Sequence, residues 1–344
     1  VKLKGKSDNE SANASMSVRT GRECFRALTT PEAVTLVSSA GKVRASVPAG
    51  SKATADMVQT DEAFWSVFSF RFLSGAGFTR ADCDAGLPRA VLSATIARQL
   101  FGTTDVVGHT VQLNYIDYTV AGVVADVSML ATAAYAQIWV PYTAADAESL
   151  SWQDDTMGPM HAVILAHSSA DFDAIRKETE LLRQKYNDGL RDVEIFYRGQ
   201  PDTQLAYLYR RWYAEPDVPG VMLRYGIVIA ILLLVPAVNL SGMTLSRMRR
   251  RMAEIGVRKA FGATGGELIR QVFFENFVLT LLAGVVGLAL SYAATFLLND
   301  FLFSNSTNAY LSGETALTPG MLLSPWAFIA AFAFCLLMNV LSAG

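Results

Sequence analysis

Ser246–Gln271 reads SRMRRRMAEIGVRKAFGATGGELIRQ, and it lies between two long apolar runs. Arg247, Arg249, Arg250, Arg251, Arg258, Lys259 and Arg270 face only Glu254 and Glu267 across this stretch. Lys and Arg resist translocation, so a basic block between two apolar spans reads as a cytoplasmic loop. The loop also has internal order. Met248, Met252 and Ile255 recur at helical spacing and predict one apolar face. Gly262 then interrupts the pattern, and Thr264 followed by Glu267 predicts a capping box that opens the next helix. A loop with a short amphipathic helix and a capped restart is built to hold a shape. We read it as a handle by which a cytoplasmic partner grips a membrane protein.

The flanking runs support this reading. Leu223–Leu245 is apolar except for Arg224, Asn239 and Ser241, and is long enough to cross a bilayer, with Pro236 expected to kink it. Phe273–Leu298 is a second run of spanning length, and Trp326–Ala343 a third, with Trp326 suited to the interface. The segment 299–325 carries Asp300 and Glu314 but no Lys or Arg, so it is free to sit outside. Charge is divided along the chain. Residues 1–222 hold 21 Lys and Arg against 26 Asp and Glu; residues 223–344 hold 8 against 5, seven of the eight within the one loop. A nucleic-acid-binding domain would carry its basic patch on the folded part, so this distribution argues against one.

Residues 1–222 read as a mixed α/β region. Lys42–Pro48, Ala53–Thr60, Arg89–Leu92, Ala136–Val140 (stopped by Pro141), His161–His167 and Val193–Tyr197 predict strands. Thr110–Leu113 and Tyr118–Val124 predict a hairpin across residues 114–117. Ser93–Phe101, Ala170–Tyr186 and Thr203–Tyr213 predict helices, and Asp61–Phe68 a short helix or turn. The order strand, helix, strand over 161–197 suggests a βαβ unit. The breakers of Glu215-Pro-Asp-Val-Pro-Gly220 mark the domain boundary. The expected architecture is therefore an α+β extracytoplasmic domain, residues 1–222, followed by an all-α transmembrane domain, residues 223–344. Its spans are at about 223–245, 273–298 and 326–343, with a coupling loop at 246–271. An external domain needs an export signal, and Val1–Gly5 is polar. The expectation is a fragment whose first span, of four in all, precedes Val1.

The residues also carry a family resemblance. RRRMAEIGVRKAFGAT followed by QVFFENFVL resembles the FtsX-like permease domain of ABC transporters, and Glu254–Ala263 is its specific part. VQTDEAFWSVFSFRFLSGAGFT, PRAVLSATIARQLFGTTDVVGHTVQL and YTVAGVVADV resemble the MacB-like periplasmic core domain. Gly75-Ala76-Gly77-Phe78 departs from the Gly-Arg often found there; no known chemistry depends on it. The resemblance implies an inner-membrane permease, dimeric with a second copy or paralogue, that couples to a separate cytoplasmic ABC ATPase and transmits its stroke to the periplasmic domain. Export with a periplasmic adaptor is the first expectation. The alternative is an envelope regulator of the same architecture: hydrolase activation, lipoprotein release or signalling. The coupling residues so implied are Met248, Arg251, Met252, Glu254, Ile255, Gly256, Val257, Arg258, Lys259 and Gly262.

Other motifs favour structural readings. Gly262–Gly266 is glycine-rich but is followed by Glu267 where a P-loop needs Lys, so no phosphate cradle, catalytic site or cofactor is expected and ATP falls to the partner. His161 and His167 can share a strand face, but exposed strand-end histidines explain them better than a metal does. Phe64, Trp65, Phe68, Phe70 and Phe72 read as core rather than a partner surface. Asn239 and Ser241 read as interhelical hydrogen-bonding groups. Gly284, Gly287 and Ser291 form a small-residue stripe that suits either a dimer seam or ordinary helix contact. Cys24 and Cys83 can pair outside the cytoplasm, although two cysteines make no framework.

Overall fold

The computed structural model describes residues 2–5, 11–48, 50–129, 131–145, 147–210, 215–250, 252–262, 264–298 and 325–343. The chain divides into two compact units between Pro216 and Asp217. The first is built from strands β1 (Lys2–Gly5), β2 (Ser11–Asn13), β3 (Ala33–Ser38), β4 (Gly41–Ser46), β5 (Lys52–Thr60), β6 (Phe72–Gly75), β7 (Arg89–Ser93), β8 (Thr110–Leu113), β9 (Ile116–Val124), β10 (Ile138–Pro141), β11 (Met160–Leu165) and β12 (Val193–Phe196). Its helices are α1 (Val18–Gly21), continued by a π-helical turn over Arg22–Arg26, α2 (Phe64–Val67), α3 (Arg80–Asp84), α4 (Ala94–Phe101), α5 (Phe172–Asp188) and α6 (Gln204–Tyr209).

Six strands pair in a ring. β4 pairs with β5, β5 with β10, β10 with β7, β7 with β9, β9 with β8, and β8 returns to β4. Closing the ring leaves these strands without a free edge. Inside it lie Val43, Ala45, Ala53, Ala55, Leu92, Val120 and Ile138, with Ile96, Ala97 and Leu100 of α4 in the same cluster. Alanine is placed opposite alanine at Ala45–Ala53, and Val43 opposite Ala55. Small side chains there leave volume for the helix. Ser93 caps α4, accepting a hydrogen bond from the Ile96 N–H, and Gly102 ends it in the left-handed conformation.

The other face of the ring is covered as well. Val58, Val91, Val124 and Trp139 pack with Phe64 and Phe78, joined by the partly buried Trp65, Phe68, Phe70 and Phe72. The aromatic stretch is thus a second core layer, as its composition suggests. Strands buried on both faces lose the alternation that marks a half-exposed strand. Glycine is required where β6 meets β9: a Cβ on Gly122 would stand 2.5 Å from the Ala76 carbonyl oxygen.

A third cluster, Met16, Val18, Cys24, Phe25, Leu36, Met157, Met160, Tyr186 and Ile195, joins α1, β3, β11, α5 and β12. Here the expected βαβ unit fails. β11 pairs antiparallel with β3 in the large sheet, while β12 pairs with β1 in a separate three-stranded sheet. The parallel strand–helix–strand arrangement occurs instead at β7–α4–β9. The hairpin turn is also tighter than expected. Only Asn114 and Tyr115 lie between β8 and β9, both at positive φ. β10 ends at Pro141 as expected, with the proline itself as its last member opposite Thr60, and the next N–H, of Tyr142, donates to the Thr60 carbonyl. The helix expected over 203–213 ends at Tyr209, and residues 211–214 lie outside the described ones. Cys24 and Cys83 are free, buried in different clusters; burial pushes their thiols up to about 11 and about 12.

The second unit is helical where described: α7 (Val218–Arg250), α8 (Met252–Ala260), α9 (Gly265–Leu297) and α10 (Pro325–Ala343). Among the described residues two stretches are long and apolar enough to cross a bilayer, Val218–Val235 in α7 and Phe273–Thr295 in α9. α7 is helical through Pro236. The side chains of Asn239 and Ser241 lie outside the described set. Gly284 of α9 faces α10, where a Cβ would meet Phe328 and Phe332 at 3.8 Å, so this end of the small-residue stripe serves contact within the chain.

Candidate coupling segment

The sequence between the two bilayer-length stretches folds into a corner. α8 ends with the Phe261 N–H donating to the Val257 carbonyl and the Gly262 N–H to that of Lys259. Gly262 has φ +92°, a backbone that side chains disfavour, so its glycine terminates the helix as expected. The Thr264 N–H and hydroxyl both donate to Glu267 at 3.0 Å. The N–H bond is the main cause holding the Glu267 carboxyl below its usual range, with the hydroxyl second. A carboxylate therefore occupies the first turn of α9, where a phosphate would otherwise be drawn.

Arg258 spans the corner. Its Nη2 donates to Glu254 Oε1 and its Nη1 to Gln271 Oε1, each at 2.7 Å. Glu254 belongs to α8 and Gln271 to α9, so one guanidinium fixes the two helices to each other. The planar fork of Arg suits two acceptors at once, where a Lys ammonium presents a point charge.

Of the residues implied in coupling, Met252, Glu254, Gly256, Val257, Arg258, Lys259 and Gly262 are exposed, and Ile255 is half-buried. Met248 lies on α7 with its side chain outside the described set, and Arg251 is outside the described residues. Among the described residues, the exposed large apolar side chains of the corner are Met252, Val257 and Phe261, the last 89% exposed. The spacing argument missed Phe261. The available signal was an aromatic immediately before the glycine that ends a helix in a polar loop.

Among the described residues no cluster of three or more His, Cys, Asp or Glu has metal-holding geometry. The histidines stand apart. His109 packs on Phe101, His161 Nε2 is 2.9 Å from Ser15 Oγ, and His167 lies 3.7 Å from Glu32. β11 ends at Leu165, so His161 and His167 do not share a strand.

A β-rich domain, then bilayer-length helices, with a short braced helix between two of them, is the layout of a membrane permease subunit. Comparison with known proteins assigns the family. The MacB-like periplasmic core domain matches residues 4–182, and the FtsX-like permease C-terminal region matches 226–344. The chain belongs to the MacB-like, FtsX-like family of ABC transporter permeases.

Similar proteins include the pyoverdine export ATP-binding/permease protein PvdT of Pseudomonas aeruginosa, 26% identical over 66% of this chain and 33% of that protein. The uncharacterised ABC transporter permease YknZ of Bacillus subtilis is 27% identical over 70% of this chain and 57% of its own length. The macrolide export ATP-binding/permease protein MacB of Chromobacterium violaceum is 26% identical over 72% and 36%. The chain thus spans between a third and three fifths of these relatives. The solved extracellular domain of YknZ aligns over 57% of this chain and 99% of that structure, at 16% identity and a TM-score of 0.42.

Proposed function

We propose that this chain is a non-catalytic permease subunit that converts ATP turnover by a separate cytoplasmic ABC ATPase into movement of its β-rich domain, for export. The β-rich domain is extracytoplasmic and the corner around α8 is cytoplasmic, following the positive-inside distribution of Arg and Lys. α10 completes a set of three spans. The subunit acts as a dimer, with an adaptor receiving substrate outside the membrane. The names of the export relatives support this reading.

The observation that carries it is the braced corner. α8 is short, fixed to α9 through Arg258, and exposes Met252, Val257 and Phe261. A rigid apolar projection transmits force, whereas a loop that served only to set topology would need its charges alone.

Val257→Asn separates these roles, because it leaves every charge in place. Full burial of a side chain of this size contributes about 1.5–3 kcal/mol. Losing that at a docking surface weakens binding about 10- to 150-fold. The expected outcome is normal membrane insertion with lost co-purification of the ATPase. Normal insertion with undiminished association and coupled ATP turnover would refute the docking role.

A further inference from the structure

The corner carries more positive charge than its own carboxylates neutralise. Ser246–Gln271 holds seven basic residues against two acidic ones. Both carboxylates are already engaged, Glu254 with Arg258 and Glu267 with the Thr264 N–H and hydroxyl. Among the described residues, Arg249, Lys259 and Arg270 are exposed and enter no ion pair.

Two of these cations are carried at a defined depth. α9 is continuous from Gly265 into the apolar stretch that begins at Phe273. Arg270 stands three residues before that start, about 4.5 Å along the helix axis. α7 is continuous to Arg250, and Arg249 stands four residues past Leu245, the end of the apolar run, about 6 Å on. The polar layer on each side of a bilayer is about 5–8 Å thick. Each helix therefore brings its arginine to the depth of the lipid phosphates.

Setting topology requires only that basic residues lie on one side of the membrane. It does not require them on continuous helices within one headgroup thickness of the apolar run. A guanidinium at that depth meets phosphate oxygens, which its planar fork matches in pairs. Lys and Arg clustered beside a span attract anionic lipid for the same reason.

We propose that Arg249 and Arg270 bind the phosphates of anionic phospholipids in the leaflet at this end of α7 and α9. These residues are distinct from the apolar contacts at Met252, Val257 and Phe261. The inference goes beyond the permease reading and rests only on α7 and α9 being spans.

The test is native mass spectrometry of the full chain, released from micelles holding equal amounts of phosphatidylglycerol and phosphatidylcholine with the same acyl chains. The parent should retain phosphatidylglycerol in preference. Each arginine beside an anionic lipid surface strengthens binding about fivefold, so Arg249→Gln with Arg270→Gln should lower the preference about 25-fold. Five basic residues remain in the loop and keep the topology signal. Arg44→Gln with Lys52→Gln removes the same charge from two exposed sites of the β-rich unit and should leave the preference intact. Should the first pair fail to insert, Arg270→Gln alone should lower the preference about fivefold. Equal retention of both lipids by the parent overturns the inference. So does a preference that survives loss of Arg249 and Arg270, or that falls equally on loss of Arg44 and Lys52. Displacement of the bound lipid by millimolar inorganic phosphate overturns it too, because the site then takes free phosphate.

Discussion

The guanidinium of Arg258 has acceptors on two different helices, Glu254 and Gln271, and both bonds are short. The residue is about half exposed, so as an ion pair with Glu254 it contributes at most about 1 kcal/mol. Its larger effect is geometric. Arg258→Lys keeps the positive charge, and so the topology, but cannot hold both acceptors in one plane. Insertion should be unchanged, while ATP turnover should become uncoupled from association with the ATPase, as measured by turnover of the co-purified complex.

Glu178 performs a comparable task in the β-rich domain. Its carboxylate accepts the Thr29 N–H at 2.8 Å, the Thr29 hydroxyl at 2.7 Å and the Thr30 N–H at 3.0 Å, tying α5 to the loop before β3. Desolvation pushes this carboxyl up, but the bonds from Thr29 and Thr30 outweigh it and hold it down at about 2. A carboxyl depressed in the folded state stabilises above its ordinary value, 4.5, and loses that contribution as pH falls towards 2. Screening at this part-exposed site limits the effect to about 1 kcal/mol. Glu178→Gln should lower stability by about that amount at neutral pH, and the difference from the parent should shrink below pH 4.5 in denaturant titrations.

At the scale of elements, the β8–β9 hairpin turns on Asn114 and Tyr115 with φ of +46° and +73°. Asn tolerates this backbone, whereas an aromatic residue is strained there by about 1–2 kcal/mol. Tyr115 is 78% exposed, so little burial offsets the strain. Tyr115→Gly should therefore stabilise the domain by about 0.5–1 kcal/mol after the extra backbone entropy of glycine is deducted. A urea midpoint that stays level or falls would show that Tyr115 makes a contact worth more than the strain. The same reasoning explains the width of this turn. Alternation alone leaves residues 114–117 as a loop, and only the two positive φ values show that Ile116 and Asp117 are already paired.

At the scale of the molecule, the ring closed by β5 and β10 gives the β-rich unit a core of its own, sealed on the outside by the aromatic layer. A domain with closed pairing and its own core folds independently. Residues 1–216 expressed alone should unfold in one transition, coincident by circular dichroism and by Trp fluorescence. Separated transitions would show that the unit depends on the helical part of the chain for its stability.

The sequence by itself determined whatever is encoded within a few residues. Examples are the bilayer-length stretches, the helix ended by Gly262, the Thr264–Glu267 cap, α4 with its Ser93 cap, and the family motif at 254–263. Each rests on periodicity, a single backbone requirement, or a side chain bonding to an adjacent turn, and these interactions keep the same form in any tertiary setting. Only the tertiary structure decided which strands are neighbours. β5 meets β10 and β3 meets β11 across long separations, and no local pattern distinguishes β11–α5–β12, whose strands join different sheets, from β7–α4–β9, whose strands pair. The same holds for the coupling corner. Spacing placed Met252 and Ile255 on one face, but Ile255 is half-buried, Phe261 is exposed, and Arg258 of α8 bonds to Gln271 of α9. Burial and long-range pairing are set by where the chain returns in space, which depends on all of its elements together.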